Sequence, residues 1–300
     1  MRDGIVVAAP CKINLHLRVL DRRADGFHEL ESVFQALSFG DELRFESLKE
    51  RSVCDLRMEG PVPPERNIVF KAIAAFRFLT AYDGGLRVTV DKRTPMGAGL
   101  GGGSSDAAAA LMALDALAGT ALDRAALQGL AAGLGSDVPF FLDGGTAMVF
   151  GRGERVVPAD GRTDYAVVLV NPGFPSETAR AFRLLDAVRS DSGAVARAPL
   201  GSAELEKALA GRPADWPFAN DFLPVLSRAS DREADAYRRM LADLRGCGAE
   251  FADLSGSGST CFGVFSDRSA AEKAVFSLSP VWKFVQIALP LARTGFTVLQ

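Results

Sequence analysis

The sequence predicts a mixture of helices and strands, and three observations carry that expectation. Segments with the period of two that marks half-buried strands, such as Leu15, Leu17, Val19 and later Leu86, Val88, Val90, are interspersed with runs at helical spacing. A continuous apolar run from Ala166 to Val170, ended by Asn171, Pro172 and Gly173, reads as a buried strand. The chain has 300 residues, 48% hydrophobic and 24% charged, enough to fill one large or two medium lobes.

Thirty-four basic against 37 acidic side chains leave a net charge of -3, which argues against nucleic acid and anionic membranes as main partners. The opening MRDGIVVAAP lacks the apolar stretch of a secretory signal, and no window approaches 18 apolar residues, so a cytoplasmic protein is expected. Cys11, Cys54, Cys247 and Cys261 form no CxxC pair, and His16 and His28 are the two histidines. A spaced zinc set cannot be assembled from these, and no residue is assigned as a metal ligand.

Ile5 to Ala8 lead into a β-rich opening. Asn67 caps a helix carrying Val69, Ile73 and Phe76 on one face, which Asp83, Gly84 and Gly85 stop. The strand from Leu86 is expected to end at Pro95. SSDAAAALMALDAL, Ser104 to Leu117, is built of strong helix formers and closed by Gly119, and Asp123 opens a second helix with Leu127, Leu130 and Leu134 on one side. From Ser190 to Pro213, small residues, Gly and Pro break any period, so a connection or variable insert is expected there. Ser230 and Glu233 form a capping box for a helix stopped at Gly246, and late strands follow at Phe262–Phe265 and 284–289.

The segment Pro95, Met96, Gly97, Ala98, Gly99, Leu100, Gly101, Gly102, Gly103, Ser104, Ser105 joins a strand to a helix and carries five glycines in seven positions. Such a loop costs backbone entropy and is useful where a ligand must approach main-chain N–H groups, with the helix start favouring an anion. The two serines add hydroxyls for phosphate oxygens or a metal ion. The segment has no Lys at the place required by GxxxxGK[ST]. Gly97, Gly99 and Gly102 satisfy GxGxxG, but the second helix from Asp123 stands where a dinucleotide fold wants a strand ending in an acid. The HRD and DFG tripeptides of protein kinases are absent from the sequence.

Lys12, in APCKINL, sits among apolar residues on a strand, with Asn14 on the same face. Asp137, in GSDVPFF, follows a helix stopped at Gly135, and Pro139 biases Val138 to an extended shape. His28 lies in DGFHEL, and LSGSGST, Leu254 to Thr260, is a second Gly/Ser loop expected between a helix and a strand. Taken singly, Lys12 is a snorkelling lysine, Asp137 a turn aspartate and His28 a structural histidine.

Together, APCKINL, DGFHEL, PMGAGLGGGSSD, GSDVPFF and LSGSGST occur in an order that resembles the GHMP kinases across most of the chain. The glycine loop carries the superfamily. PCKIN followed by DGFH points to a branch that phosphorylates the 2-hydroxyl of a cytidine diphosphate-linked methylerythritol in non-mevalonate isoprenoid synthesis. The resemblance implies an α+β, two-lobed fold with the active site in the cleft, an N-terminal α/β ATP-binding lobe over residues 1–155 and a C-terminal α+β lobe over 156–300. It makes Asp137 the base facing the hydroxyl, Lys12 the cation beside it and Asn14 a positioning group. Pro95 to Ser105 would wrap the phosphates of ATP, with Mg2+ accompanying the nucleotide. Phe27 and His28 would hold the cytosine, Phe182 its other face. This branch mostly carries Tyr at the place of Phe27, so stacking is kept and a phenol contact is lost. The partner is a small molecule, and the chain is expected to be a monomer or weak homodimer.

Phosphoryl transfer through a loose transition state demands alignment, charge neutralisation and exclusion of water more than covalent chemistry. A carboxylate base takes the alcohol proton late, as the P–O bond forms. The competing readings are a homoserine- or mevalonate-type kinase of the same fold, a ligand sensor on that fold without catalysis, and an NAD-dependent dehydrogenase built on the dinucleotide fold weighed above.

Overall fold

Two long strands organise the molecule, whose computed structural model describes residues 4–59, 63–192, 195–228 and 231–293. Strand β1 (Gly4–Arg22) pairs antiparallel with β2 (His28–Leu48), and the register shifts between Pro10 and Lys12 and again between Asn14 and His16. β3 (Cys54–Met58) is followed by helix α1 (Ile68–Thr80), capped as expected by Asn67, whose side chain accepts from Val69 N at 2.9 Å. Then come β4 (Gly85–Asp91), α2 (Gly102–Ala118), α3 (Arg124–Leu134), α4 (Val138–Asp143), β5 (Thr146–Gly151) and β6 (Arg155–Ala159). β4 pairs with the far half of β2 and β5 with its near half, giving the sheet order β3-β4-β2-β5-β6 with β1 also on β2.

The second sheet is β10-β7-β9-β8, all antiparallel, from β7 (Ala166–Asn171), β8 (Phe251–Leu254), β9 (Cys261–Phe265) and β10 (Phe284–Ala288). Helices α5 (Thr178–Ser192), α6 (Ser202–Ala210), α7 (Phe222–Leu226), α8 (Arg232–Gly246) and α9 (Arg268–Leu278) accompany it. One core, with Phe45, Phe76 and Leu111, lies between the first sheet and helices α1 to α4, and a second, with Tyr237, Met240 and Phe265, lies in the other lobe. A third joins them, packing Cys11, Ile13 and Leu15 of β1 against Val167, Leu169 and Phe262 of the second sheet. The alternation read at Leu15, Leu17 and Val19 therefore belongs to a strand shared by both lobes.

Several expectations are corrected. The stretch 190–213 is more than a connection: α5 runs into it and α6 occupies Ser202–Ala210. The N-terminus of α6 is capped from far away, since Glu31 accepts from Leu200 N and Gly201 N at 2.7 and 2.8 Å. Burial pushes the Glu31 carboxyl up, but hydrogen bonds from His16 and these amides outweigh it and hold the group below its usual range. Val138 is the first residue of α4 rather than extended, because Pro139 sits in the first helical turn, where its missing N–H costs nothing. β4 ends at Asp91, short of Pro95, and α1 stops at a left-handed Ala81 before the glycines. The cap of α8 is Asp231, accepting from Ala234 N at 2.8 Å, while Ser230 lies outside the described residues. LSGSGST joins two antiparallel strands, β8 and β9, and not a helix to a strand.

Asp253, in β8, is buried between Asn220 N and Leu254 N, which it accepts at 3.0 and 2.7 Å. Burial pushes its carboxyl up from 3.8 to about 7, with Asp221 adding and the two amides and Arg245 opposing. The folded state thus holds a proton that the unfolded state releases near pH 4. Stability from this group is complete below that pH and is lost as pH rises toward about 7, at about 1.4 kcal/mol per pH unit. Denaturant unfolding at pH 5 and 7 should show the parent losing more stability than Asp253→Asn. Equal pH dependence in the two proteins would refute the shift.

Candidate active site

The bulges in β1 set the geometry of the candidate site. They release the Lys12 backbone N–H from the ladder to bond Leu100 O at 2.9 Å, tying the strand directly to the glycine loop. Lys12 Nζ donates to Asn14 Oδ1 at 2.7 Å, lies 3.4 Å from Asp137 Oδ2 and sits 4.3 Å above the Phe34 ring. Residues 12, 14 and 137, which the resemblance assigns to one site, lie together. Lys12 and Asn14 are buried, whereas the Asp137 side chain keeps 30% of its surface open. Asp137 stands at the N-cap of α4 without making a capping bond, so its carboxylate is not committed to the helix.

Behind Asn14 stand two serines, Ser32, which no sequence pattern singled out, and Ser255, from the late Gly/Ser loop noted above. Asn14 Nδ2 donates to Ser32 Oγ at 3.0 Å, and Ser32 Oγ donates to His16 O, which fixes the amide with its oxygen toward Lys12. Ser255 Oγ accepts from Asn14 N at 3.3 Å and donates to Gly99 O at 2.8 Å. Thr260 N also donates to Ala98 O at 3.1 Å, and Ser176 N to Gly97 O at 2.7 Å. The late Gly/Ser loop is therefore a clamp on the early one.

Two positions of the glycine loop admit no side chain. Gly99, with φ +77°, would place a Cβ 2.0 Å from Ser255 O, and Gly101, with φ +67°, would place one 2.9 Å from Phe141 Cζ and 3.0 Å from Lys12 Cγ. α2 begins two residues earlier than expected, so Gly102 and Gly103 form its first turn and their N–H groups belong to the unpaired set at a helix start. A cavity of about 420 Å³ opens on this face, lined by Met58, Asn67, Lys92 and the loop from Pro95 to Ser104. Of the assigned loop residues, Ser105 does not line it and is buried, its Oγ without a partner.

A second cavity, about 570 Å³, lies on the other side of Gly99 and Gly101, which line both. Lys12, Asn14 and Asp137 face it from within, and Phe27, His28 and Phe182 line it farther out. A turn at Asp25 and left-handed Gly26 brings Phe27 and His28 to the same cavity despite their adjacency, with Asp25 Oδ1 accepting from Phe27 N at 3.1 Å. Phe27 is more than half exposed. His28 and Phe182 are stacked on each other, ring centres 5.1 Å apart and 17° from parallel, and His28 Nε2 lies 2.9 Å from Asp186 Oδ1.

Sequence reasoning missed one charged cluster altogether. Lys92 donates to Asp41 Oδ2 at 2.5 Å and to Asp106 Oδ2 at 2.7 Å at the start of α2. Burial pushes the Asp106 carboxyl up to about 7, with Asp41 adding and Lys92 opposing, and its Oδ1 has no partner. The signal available was the scarcity of lysine: seven in the chain, one of them immediately before the glycine loop.

A small-molecule kinase of the GHMP class is what this fold and paired-cavity site define. The model of the GHMP kinases N terminal domain matches residues 67–145, and that of the GHMP kinases C terminal domain residues 205–282. At finer resolution, the chain belongs to the 4-diphosphocytidyl-2-C-methyl-D-erythritol kinase family. It is 38% identical over 284 residues to the family's protein from Treponema pallidum, covering 93% of this chain and 96% of that one. With the protein of that name from Anaeromyxobacter dehalogenans it shares 41% over 285 residues, covering 91% and 85%. A crystal structure of 4-(cytidine 5'-diphospho)-2C-methyl-D-erythritol kinase superposes with a TM-score of 0.80 at 34% identity, covering 95% of this chain and 98% of that one. A homoserine kinase from Cytophaga hutchinsonii, at 17% identity and TM-score 0.69, shares the fold. Among the described residues, no helix is long and apolar enough to cross a membrane.

Proposed function

We propose that the chain transfers the γ-phosphoryl group of ATP to the 2-hydroxyl of 4-diphosphocytidyl-2-C-methyl-D-erythritol, giving the 2-phosphate and ADP in isoprenoid precursor synthesis. The observation that carries the reading is the shared wall: Gly99 and Gly101 separate a cavity at a helix N-terminus from one containing Lys12, Asn14 and Asp137. Triphosphate on one side and alcohol on the other would meet at this wall. The division into an ATP-binding lobe over 1–155 and a second lobe over 156–300, and a cytoplasmic place of action, belong to the same reading.

Pro95 to Ser105 holds the phosphates through main-chain N–H groups at the start of α2, where the helix dipole favours negative charge. Asp137 takes the hydroxyl proton, and Lys12, within ion-pair distance of it, offsets the negative charge that builds on the acceptor oxygen. Asn14 keeps the ammonium pointed at the reacting centre. Oxygen donors suit Mg2+, and Asp106 fits that need, with an unpartnered oxygen on a residue lining the nucleotide cavity. Ser104 lines the same cavity and offers a hydroxyl. When bound, the ion would neutralise phosphate charge.

The base is assigned to the outer part of the acceptor cavity, at Phe27, His28 and Phe182. Stacking on an aromatic ring is worth about 1 to 3 kcal/mol per base. Phe27→Ala should raise the KM of the cytidine substrate by about 5- to 150-fold. The KM of ATP should hold and Phe27→Tyr should be tolerated. Incubation of the protein with ATP, Mg2+ and a panel of alcohols, with identification of the phosphorylated product, tests the whole reading. Phosphorylation of homoserine or mevalonate in preference to the cytidine alcohol would overturn it.

A further inference from the structure

The acceptor cavity carries a cation that the reaction described above leaves without a task. Arg152 lies in the turn between β5 and β6 and lines the cavity, its guanidinium 4.9 Å from the centre of the Phe27 ring. The turn is held by Gly151 N donating to Glu29 Oε1 at 3.0 Å and by the Arg152 backbone N–H donating to Glu154 Oε2 at 2.5 Å. Among the described residues the guanidinium makes no ion pair. The nearby Asp25 carboxylate feels its charge, but Asp25 is already engaged by Phe27 N and Arg23 Nε.

The other basic side chains of the cavity are committed. Lys12 is held by Asn14 and Asp137, and His28 by Asp186. A cytidine diphosphate-linked alcohol carries two negative charges between its base and its reactive hydroxyl. A site that takes the base beside Phe27 and the hydroxyl beside Asp137 must pass that diphosphate through the cavity between them. Guanidinium is the side chain suited to the task, because its planar donors match phosphate oxygens in pairs while its face stays on an aromatic ring.

We propose that Arg152 is a substrate-binding residue that recognises the diphosphate of the acceptor while backing the Phe27 ring, and so contributes to selection of a nucleoside diphosphate derivative over a plain alcohol. The inference rests on the cytidine reading of the same cavity, and the test separates the two. Calorimetric binding of cytidine and of cytidine 5'-diphosphate, without ATP, is compared in the parent, Arg152→Gln and Arg152→Lys. The parent should bind the diphosphate more tightly than the nucleoside. Arg152→Gln should weaken the diphosphate by about 10-fold, the scale of one exposed charge-assisted hydrogen bond, and leave cytidine unchanged. Arg152→Lys should recover part of the loss, since it keeps charge without the paired donors. Equal weakening of both ligands would reduce Arg152 to a support for Phe27 and overturn the proposal, as would no weakening of either or equal binding of both by the parent. A parent that binds neither ligand would remove the cytidine reading itself.

Discussion

Asp137→Asn should fold like the parent and lose about 100- to 10,000-fold in kcat, the range a general base contributes. The fold survives because Asp137, although placed as the N-cap of α4, makes no capping bond, and part of its side chain stands open to the cavity. No capping hydrogen bond of the helix is lost with it. The amide matches the carboxylate in shape but cannot take the alcohol proton, and it removes the partner that Lys12 faces at 3.4 Å. ATP affinity should hold, because the nucleotide cavity does not include residue 137. Steady-state kinetics with unfolding curves decides the matter. Near-parent kcat in a well-folded variant would take the role of base away from Asp137.

Gly103→Val should retain the fold while ATP affinity drops by about 10- to 100-fold. Gly103 is exposed in the first turn of α2, and a Cβ there meets nothing nearer than Ile68 Cγ2 at 3.7 Å. Its backbone is helical, so a side chain imposes no left-handed strain. The new group stands in the nucleotide cavity, where phosphates must approach the main chain, and displacing one charge-assisted hydrogen bond costs about 1.5 to 3 kcal/mol. Gly101→Ala makes a useful contrast, since its methyl would strike Phe141 and Lys12 and disturb the acceptor side as well. Unchanged ATP binding by Gly103→Val, measured calorimetrically, would mean that the phosphates lie elsewhere.

What could be read in advance was whatever a short stretch of chain decides for itself. Lys12 and Asn14 meet because residues two apart on a strand share a face, and Asn67 and Asp123 cap their helices within three residues. α6 escaped notice although Leu205, Ala208 and Leu209 have helical spacing, because its cap is a carboxylate about 170 residues earlier. The Lys92 cluster draws Asp41, Lys92 and Asp106 from a strand, the end of another and a helix, and no local pattern announces such a meeting. Val138 departs from the extended shape expected before a proline because Pro139, which restrains its predecessor in general, is well placed in a first helical turn. The roles of Lys12, Asp137, Phe27 and the glycine loop came from resemblance, to which the structure adds proximity.

The clamp formed by Ser255 bears on how the enzyme comes into being during synthesis. Lys12, the glycine loop and Asp137 are all made in the first half of the chain, and N-terminal regions generally fold first as a polypeptide leaves the ribosome. Yet the carbonyls of Ala98 and Gly99 and the backbone N–H of Asn14 wait for Thr260 and Ser255. Until those residues emerge, a nascent chain can tie Lys12 to Leu100 and to Asp137 but lacks the bonds that fix Ala98, Gly99 and the Asn14 N–H, so the glycine loop is fully clamped only near the end of translation.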